Sequence, residues 1–217
     1  MSVKHFFIDP FPTHIFLDTN FLVYAHYEYP TPYTSLQKIT QKESRIAKEF
    51  LKRLISQKIK ISISSMVFPE FWKSILINKI VDEKVSHVKE KERVEEAEKY
   101  LKRNPLCIKD YFKDIEESTQ KLAKLLKSEN GPIDVIETTR KMSEKAMEAM
   151  KKYCLDSYDA IHIGAMVGCG INDFATGDER IINHCGKELN IWTYPKGANL
   201  TCVYDRLLTK EKKTEED

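Results

Sequence analysis

Short apolar runs alternate with amphipathic stretches in the first third of the chain. Residues 14–18 form an apolar run that ends in Asp18, and residues 60–64 alternate apolar and polar side chains. Both patterns are typical of β-strands. Between them, residues 40–56 carry apolar side chains at helical spacing, and residues 65–77 predict a second helix. The order strand, helix, strand, helix predicts an α/β fold built on a parallel sheet.

The middle of the chain has a different pattern. Residues 79–152 contain charged and amphipathic helical stretches, and the sequence predicts no strand there. The alternation of helix and strand resumes at Ser157, and strands are predicted at 173–176 and 190–193. We therefore expect one domain over residues 1–217, with a helical insertion at about 79–152 and a flexible charged tail at 208–217.

Composition and charge exclude several classes of protein. The 217 residues are 41% hydrophobic and 31% charged, which excludes a wholly disordered or fibrous chain. Because 35 basic side chains nearly balance 33 acidic ones, contacts with nucleic acid must come from local patches. No apolar run approaches the roughly 18 residues that span a bilayer, and no secretory signal is visible. The expectation is a cytoplasmic protein without a membrane partner.

Acidic side chains flank the predicted strands where α/β proteins bind their ligands. Asp18 ends the first predicted strand, Asp178 follows the strand at 173–176, and Glu70 lies on the helix after the second strand. Asp156 and Asp159 open a predicted helix, and their i,i+3 spacing puts them on one face. Ligands of open α/β sheets bind outside the carboxyl ends of the strands, so these acids are expected to converge.

Carboxylates that converge repel one another unless a cation neutralises them. Oxygen ligands favour Mg²⁺ or Mn²⁺ over zinc, and the five cysteines and six histidines show no zinc-binding spacing. Such an ion can activate water and stabilise the leaving oxygen of a phosphodiester. A structural alternative stays open for Asp156 and Asp178, because each stands where the N-cap of a helix is expected.

Four segments, in this order, resemble the PIN-domain nuclease family, to which the VapC-like ribonucleases belong. They are Phe16-Leu17-Asp18-Thr19-Asn20, Glu70 after a Ser-rich strand, Asp159-Ala160-Ile161-His162-Ile163, and Ala175-Thr176-Gly177-Asp178. The resemblance covers roughly residues 13–77 and 153–194 and leaves out the middle. It implies a three-layer α/β/α sandwich with a central parallel sheet, and metal-dependent cleavage of single-stranded RNA.

The resemblance also assigns roles to individual residues. The catalytic, metal-binding acids that it implies are Asp18, Glu70, Asp159 and Asp178. Asp156 is an additional metal ligand, while Asn20 and Thr176 match polar positions that support metal-bound water. Many family members are toxins, so the expected partners are RNA, an antitoxin protein and a second copy of the chain. The long middle departs from the compact toxin-type members.

Other functions keep the same residues but change their use. A structure-specific DNA nuclease shares the metal site, whereas a non-catalytic module that binds RNA or a partner would be expected to lose some acids. A phosphatase with an aspartyl nucleophile is excluded, since Asn20 stands where its second Asp is needed. The insertion is predicted to act as a lid, a dimer surface or a substrate guide. Base stacking or packing is open for four tyrosines: Tyr24, Tyr27, Tyr29 and Tyr33.

Overall fold

The computed structural model describes residues 3–5, 9–26, 35–89, 92–127 and 133–193. The predicted tail at 208–217 lies outside the described residues, and so do Tyr27, Tyr29 and Tyr33. Tyr24 lies within them, is partly buried and packs against the main core. Packing is therefore the observed role of this tyrosine.

Six parallel strands form one sheet in the part of the chain that is described. They are β1 (Val3–His5), β2 (His14–Leu17), β3 (Lys60–Ser64), β4 (Ile133–Ile136), β5 (Asp173–Ala175) and β6 (Asn190–Thr193). Their spatial order is β1-β6-β5-β2-β3-β4. The sheet is therefore of the all-parallel type that needs helices over both of its faces.

Helices connect the strands from β2 onward. They are α1 (Thr19–His26), α2 (Ser35–Ser56), α3 (Val67–Lys84), α4 (Arg93–Arg103), α5 (Ile108–Leu126), α6 (Arg140–Tyr153), α7 (Ser157–Gly168) and α8 (Glu179–Cys185). A short 3₁₀ turn at Pro105–Cys107 joins α4 to α5. In α2 the apolar positions Ile46, Phe50 and Leu54 share one face, and all three are buried.

The order of the strands creates a switch point between β2 and β5. From β2 the chain proceeds to β3 on one side, and from β5 it proceeds to β6 on the other side. Phe16 of β2 lies opposite Phe174 of β5, and Leu17 lies opposite Ala175. In open α/β sheets the ligand crevice lies at such a reversal, beyond the carboxyl ends of the strands.

Alternating side chains of the sheet supply two separate cores. Ile15 and Leu17 of β2 point into a cluster with α1, α2, α3 and the end of α5, in which Phe50 is buried. Phe16 points to the other face, into a cluster with α6, α7 and α8 that contains Ile163. Successive strand residues face opposite sides of a sheet, so helices cover both faces. The predicted three-layer α/β/α arrangement is confirmed.

The prediction that residues 79–152 contain no strand was wrong. β4 lies in this range and pairs in parallel with β3, with Ile133 opposite Ile61. The range also contains α6, in which Ala146 and Ala149 are buried in the cluster with α7. Both elements belong to the sheet and its layers, so the predicted insertion boundaries are too wide.

A smaller core lies where α3 extends beyond the sheet. Ile80 of α3, Ala97 of α4 and Tyr111 of α5 are buried together in this third cluster. The other end of α5 packs on the main core through Leu122 and Leu126. The helical extension is therefore α4, α5 and the end of α3, and it is anchored to the sheet layers at one end.

Within the described residues, no helix is both long enough and apolar enough to cross a bilayer.

Candidate active site

Asp18 lies at the switch point, directly after β2 and before α1. The residue is only 3% exposed, and its main-chain N–H donates to the carbonyl of Ala175, 3.0 Å away. The Thr176 hydroxyl donates to Asp18 Oδ2 at 2.7 Å. Thr176 itself follows β5, and its N–H donates to the carbonyl of Trp192 in β6. Three neighbouring strands thus fix the orientation of this buried carboxylate.

Three further acids lie at the N-termini of α7 and α8. Asp156 is the N-cap of α7, where its Oδ1 accepts from the N–H groups of Tyr158 and Asp159, each at 3.1 Å. Asp178 is the N-cap of α8, and its Oδ1 accepts from the N–H of Arg180 at 2.7 Å. Asp159 lies in the first turn of α7 and is buried. The capping alternative considered for Asp156 and Asp178 therefore holds.

Arg180 joins these three acids. Its Nη2 atom lies 3.0 Å from Asp159 Oδ2, 3.1 Å from Asp156 Oδ2 and 3.3 Å from Asp178 Oδ2. Asp156 and Asp178 therefore use one oxygen to cap a helix and the other to contact the guanidinium. Capping fixes the direction of the second oxygen, so the structural role and the site role are compatible.

Glu70 is held separately by a buried histidine. Glu70 Oε2 lies 2.7 Å from Nε2 of His162, and the Thr19 hydroxyl donates to the same oxygen. Nδ1 of His162 shares a 2.9 Å hydrogen bond with the hydroxyl of Ser64, at the end of β3. This network links α1, β3, α3 and α7, and it gives a partner to an acid on a largely apolar helix.

The electrostatics of the site indicate a surplus of negative charge. Burial raises the pKa of the Asp18 carboxyl, and the charge of Glu70 adds to this, although His162 and Thr176 oppose it. Burial, reinforced by Asp156, Asp18 and Asp178, raises the pKa of Asp159 to about 7. Asp18 and Asp178 each contribute to this shift, so the charges of both carboxylates act on Asp159.

The charge of His162 responds to the same acids. Burial alone lowers the pKa of an imidazole, but the hydrogen bond to Glu70 and the charges of Asp18 and Asp159 outweigh burial, so the pKa of His162 is raised. A positively charged imidazole is therefore favoured beside Glu70. Two cationic side chains, His162 and Arg180, partly neutralise the acids that the sequence singled out.

The described residues contain no group of three or more His, Cys, Asp or Glu side chains arranged to hold a metal ion as they stand. The donor set still fits a hard cation in kind, because it consists of carboxylate oxygens. The Arg180 guanidinium takes the place of a metal ion, because it is a cation held by the acids from which a metal site would be built. Asn20, in the first turn of α1, is exposed.

Sequence reasoning missed Arg180, His162, Thr19 and Ser64. Each had a local signal: Arg180 is two residues after Asp178, and His162 is three residues after Asp159 on the same helix face. Thr19 directly follows Asp18, and Ser64 ends a strand beside the switch point. The partners of these residues lie up to 143 positions away, which spacing alone does not reveal.

Similarity to known proteins is found among solved structures. No family model matches the sequence, and no curated protein matches it. One solved structure is VapBC2 from Rickettsia felis bound to a DNA fragment from its promoter, with 15% identity, a TM-score of 0.46, and coverage of 84% of this chain and 99% of that chain. Another is VapC20 of Mycobacterium tuberculosis, a toxin that cleaves the sarcin-ricin loop, with 15% identity, a TM-score of 0.41, and coverage of 81% and 95%.

Proposed function

We propose that the chain is a PIN-like nuclease that uses Mg²⁺ or Mn²⁺ to hydrolyse phosphodiester bonds of single-stranded RNA. The observation that carries the proposal is the set of four aspartates at the switch point: Asp18, Asp156, Asp159 and Asp178. Burial raises the pKa of Asp18, and burial together with its acidic neighbours raises that of Asp159. Helix capping accounts for Asp156 and Asp178 but not for the buried Asp18 and Asp159, whereas a cation site would use all four carboxylates.

The residues divide the work of the proposed site. Asp18, Asp159 and Asp178 would hold the cation, with Asp156 as an additional ligand beside them. When bound, the cation would lower the pKa of water and stabilise the negative charge on the leaving oxygen of the phosphodiester. Thr176 keeps the Asp18 carboxylate in its orientation through the 2.7 Å hydrogen bond. Asn20, exposed at the start of α1, is proposed to orient water at the rim.

Glu70 has a different place in this proposal. Its carboxylate lies at the side of the site, held by the His162 imidazole and the Thr19 hydroxyl. His162 and Thr19 both contact Oε2, which fixes the carboxylate and directs its second oxygen, an acceptor suited to orient an attacking water. We therefore assign Glu70 the positioning of water, with cation binding as a further role.

The substrate and partners of the chain are proposed from the resemblance of its motifs. RNA is the proposed substrate, and an antitoxin protein and a second copy of the chain are the proposed partners. The cytoplasm is the proposed location. The helical extension formed by α4, α5 and the end of α3 is proposed to guide the substrate.

The test uses the full chain and labelled single-stranded oligonucleotides of RNA and of DNA with the same base order. We expect cleavage of the RNA in Mn²⁺ or Mg²⁺, no cleavage in excess EDTA, and recovery when the cation is restored. Asp159→Asn, prepared in parallel, controls for contaminating nuclease. A branched DNA is assayed beside them, and its preferential cleavage over the single-stranded RNA would establish the alternative DNA nuclease.

Two results would contradict the proposal. Undiminished RNA cleavage by the wild type in excess EDTA, with Asp159→Asn inactive, would exclude a cation-dependent reaction. Specific RNA binding with no cleavage in either cation would instead establish a non-catalytic binding module.

A further inference from the structure

The Arg180 side chain contacts the acid cluster but can leave it. Its side chain is 60% exposed, so the guanidinium lies at the mouth of the site with an open path to solvent. Its Nη2 atom is the common contact of three Oδ2 atoms, from Asp156, Asp159 and Asp178. The Asp159 and Asp178 side chains are only 12% and 18% exposed, but the guanidinium is largely hydrated, so solvent offsets part of the cost when it leaves their oxygens.

Two of the three acids are held in place without the guanidinium. Asp156 is oriented by the N–H groups of Tyr158 and Asp159, and Asp178 by the main-chain N–H of Arg180. None of these hydrogen bonds uses the Arg180 side chain. Rotation of that side chain into solvent therefore leaves both helix caps intact and exposes three oxygens that already point toward one place.

We propose that Arg180 is a built-in counter-cation that competes with the divalent cation for the oxygens of Asp156, Asp159 and Asp178. This inference rests on the proposed cation site. Two positive groups cannot share the same three oxygens, because they repel each other and each needs the same lone pairs. The guanidinium partly neutralises the acids in the cation-free protein, and it sets a threshold concentration below which the site does not load.

The experiment measures Mn²⁺ binding by isothermal titration calorimetry for the wild type, Arg180→Gln and Arg180→Lys. Arg180→Gln is expected to bind Mn²⁺ about tenfold more tightly, which corresponds to about 1.4 kcal/mol. Arg180→Lys keeps the charge but not the planar, multiply donating group, so its gain should be smaller. Arg140→Gln is the matched control, since Arg140 is 95% exposed and pairs with Glu144 on α6.

Folding of the variants is checked by melting curves without cation. Arg180→Gln should melt at a lower temperature than the wild type, because its acids lose a counter-charge, and Mn²⁺ should raise its melting temperature more than that of the wild type. If Arg180→Gln does not fold, Arg180→Lys carries the test, and its affinity for Mn²⁺ must then exceed that of the wild type.

Three other outcomes would each contradict the proposed competition. Equal affinity of wild type and Arg180→Gln for Mn²⁺ overturns the competition but leaves the proposed cation site standing. Weaker binding by Arg180→Gln also overturns it and makes Arg180 a residue that positions the ligands. Absence of Mn²⁺ binding by the wild type and by every variant overturns both the competition and the cation-dependent function.

Discussion

Replacement of Asp18 by Asn is expected to reduce RNA cleavage by at least about 100-fold and to raise the melting temperature of the cation-free protein. The two effects have one cause. Asp18 is buried, and burial raises the pKa of its carboxyl, so the ionised form is costly in the folded state and Asn removes that cost. Asn also keeps an oxygen that accepts the hydrogen bond from Thr176. Cleavage fails because a ligand is lost.

The measurement combines melting curves, with and without Mn²⁺, with cleavage assays. For a chain of this size, about 1 kcal/mol of unfolding free energy shifts the melting temperature by about 2–4 °C, which is readily detected. Mn²⁺ should stabilise Asp18→Asn much less than the wild type, since the variant has lost a ligand.

Asp173→Asn is the matched control for this substitution. Asp173 begins β5, at the end of the strand remote from the site, and its Oδ1 accepts from the Trp192 indole at 2.7 Å. This variant should keep full cleavage and a normal response to Mn²⁺. If Asp18→Asn were instead destabilised, with unchanged cleavage and response to Mn²⁺, Asp18 would be a structural acid and the proposed site would lose its central ligand.

The strands that the sequence predicted are those that lie inside the sheet or end in buried apolar residues. β2 and β3 are central, and most of their residues are buried, so their hydrophobic pattern is distinct. β4 was missed because it is an edge strand with a weak apolar pattern: Asp134 and Val135 are exposed, and only Ile133 is buried. β1, at the opposite edge of the sheet, also gave no pattern. An edge strand pairs with one neighbour only, and the sequence pattern does not reveal that pairing.

The acids were predictable because topology alone brings them together. A parallel sheet places the carboxyl ends of its strands at one edge, so residues after β2 and β5 meet there whatever lies between them. Asp18 and Asp178 are such residues. The partners of the acids depend instead on how helices pack: His162 contacts Glu70 because α7 and α3 approach the same strand end. Local spacing contains no information about that contact.

The close approach of α6 and α7 gives the second prediction of large effect, which is Gly164→Ala. A Cβ at Gly164 would lie 2.6 Å from the main-chain N of Ala146 and 2.6 Å from the main-chain O of Met142. Both atoms belong to the backbone of α6, so no side-chain rotation relieves the clash and the helices must separate. Overpacking of a core typically costs about 1–3 kcal/mol and occasionally more, and we expect the upper end of this range.

Function should fall together with stability, because α7 carries both Asp159 and His162. When α7 moves, Asp159 moves relative to Asp18, which is fixed to β2 and β5, so cleavage and the Mn²⁺-induced rise in melting temperature should both decrease. Gly168→Ala, one turn further along α7, is the control: its Cβ would meet Cγ of the Met142 side chain at 2.9 Å, and rotation about the Met142 side-chain bonds can relieve this contact. The measurements are thermal unfolding and cleavage of both variants. If Gly164→Ala were as stable and as active as Gly168→Ala, the backbones of α6 and α7 would not be in contact. In that case α6 would belong to the predicted insertion and not to the layers of the sheet.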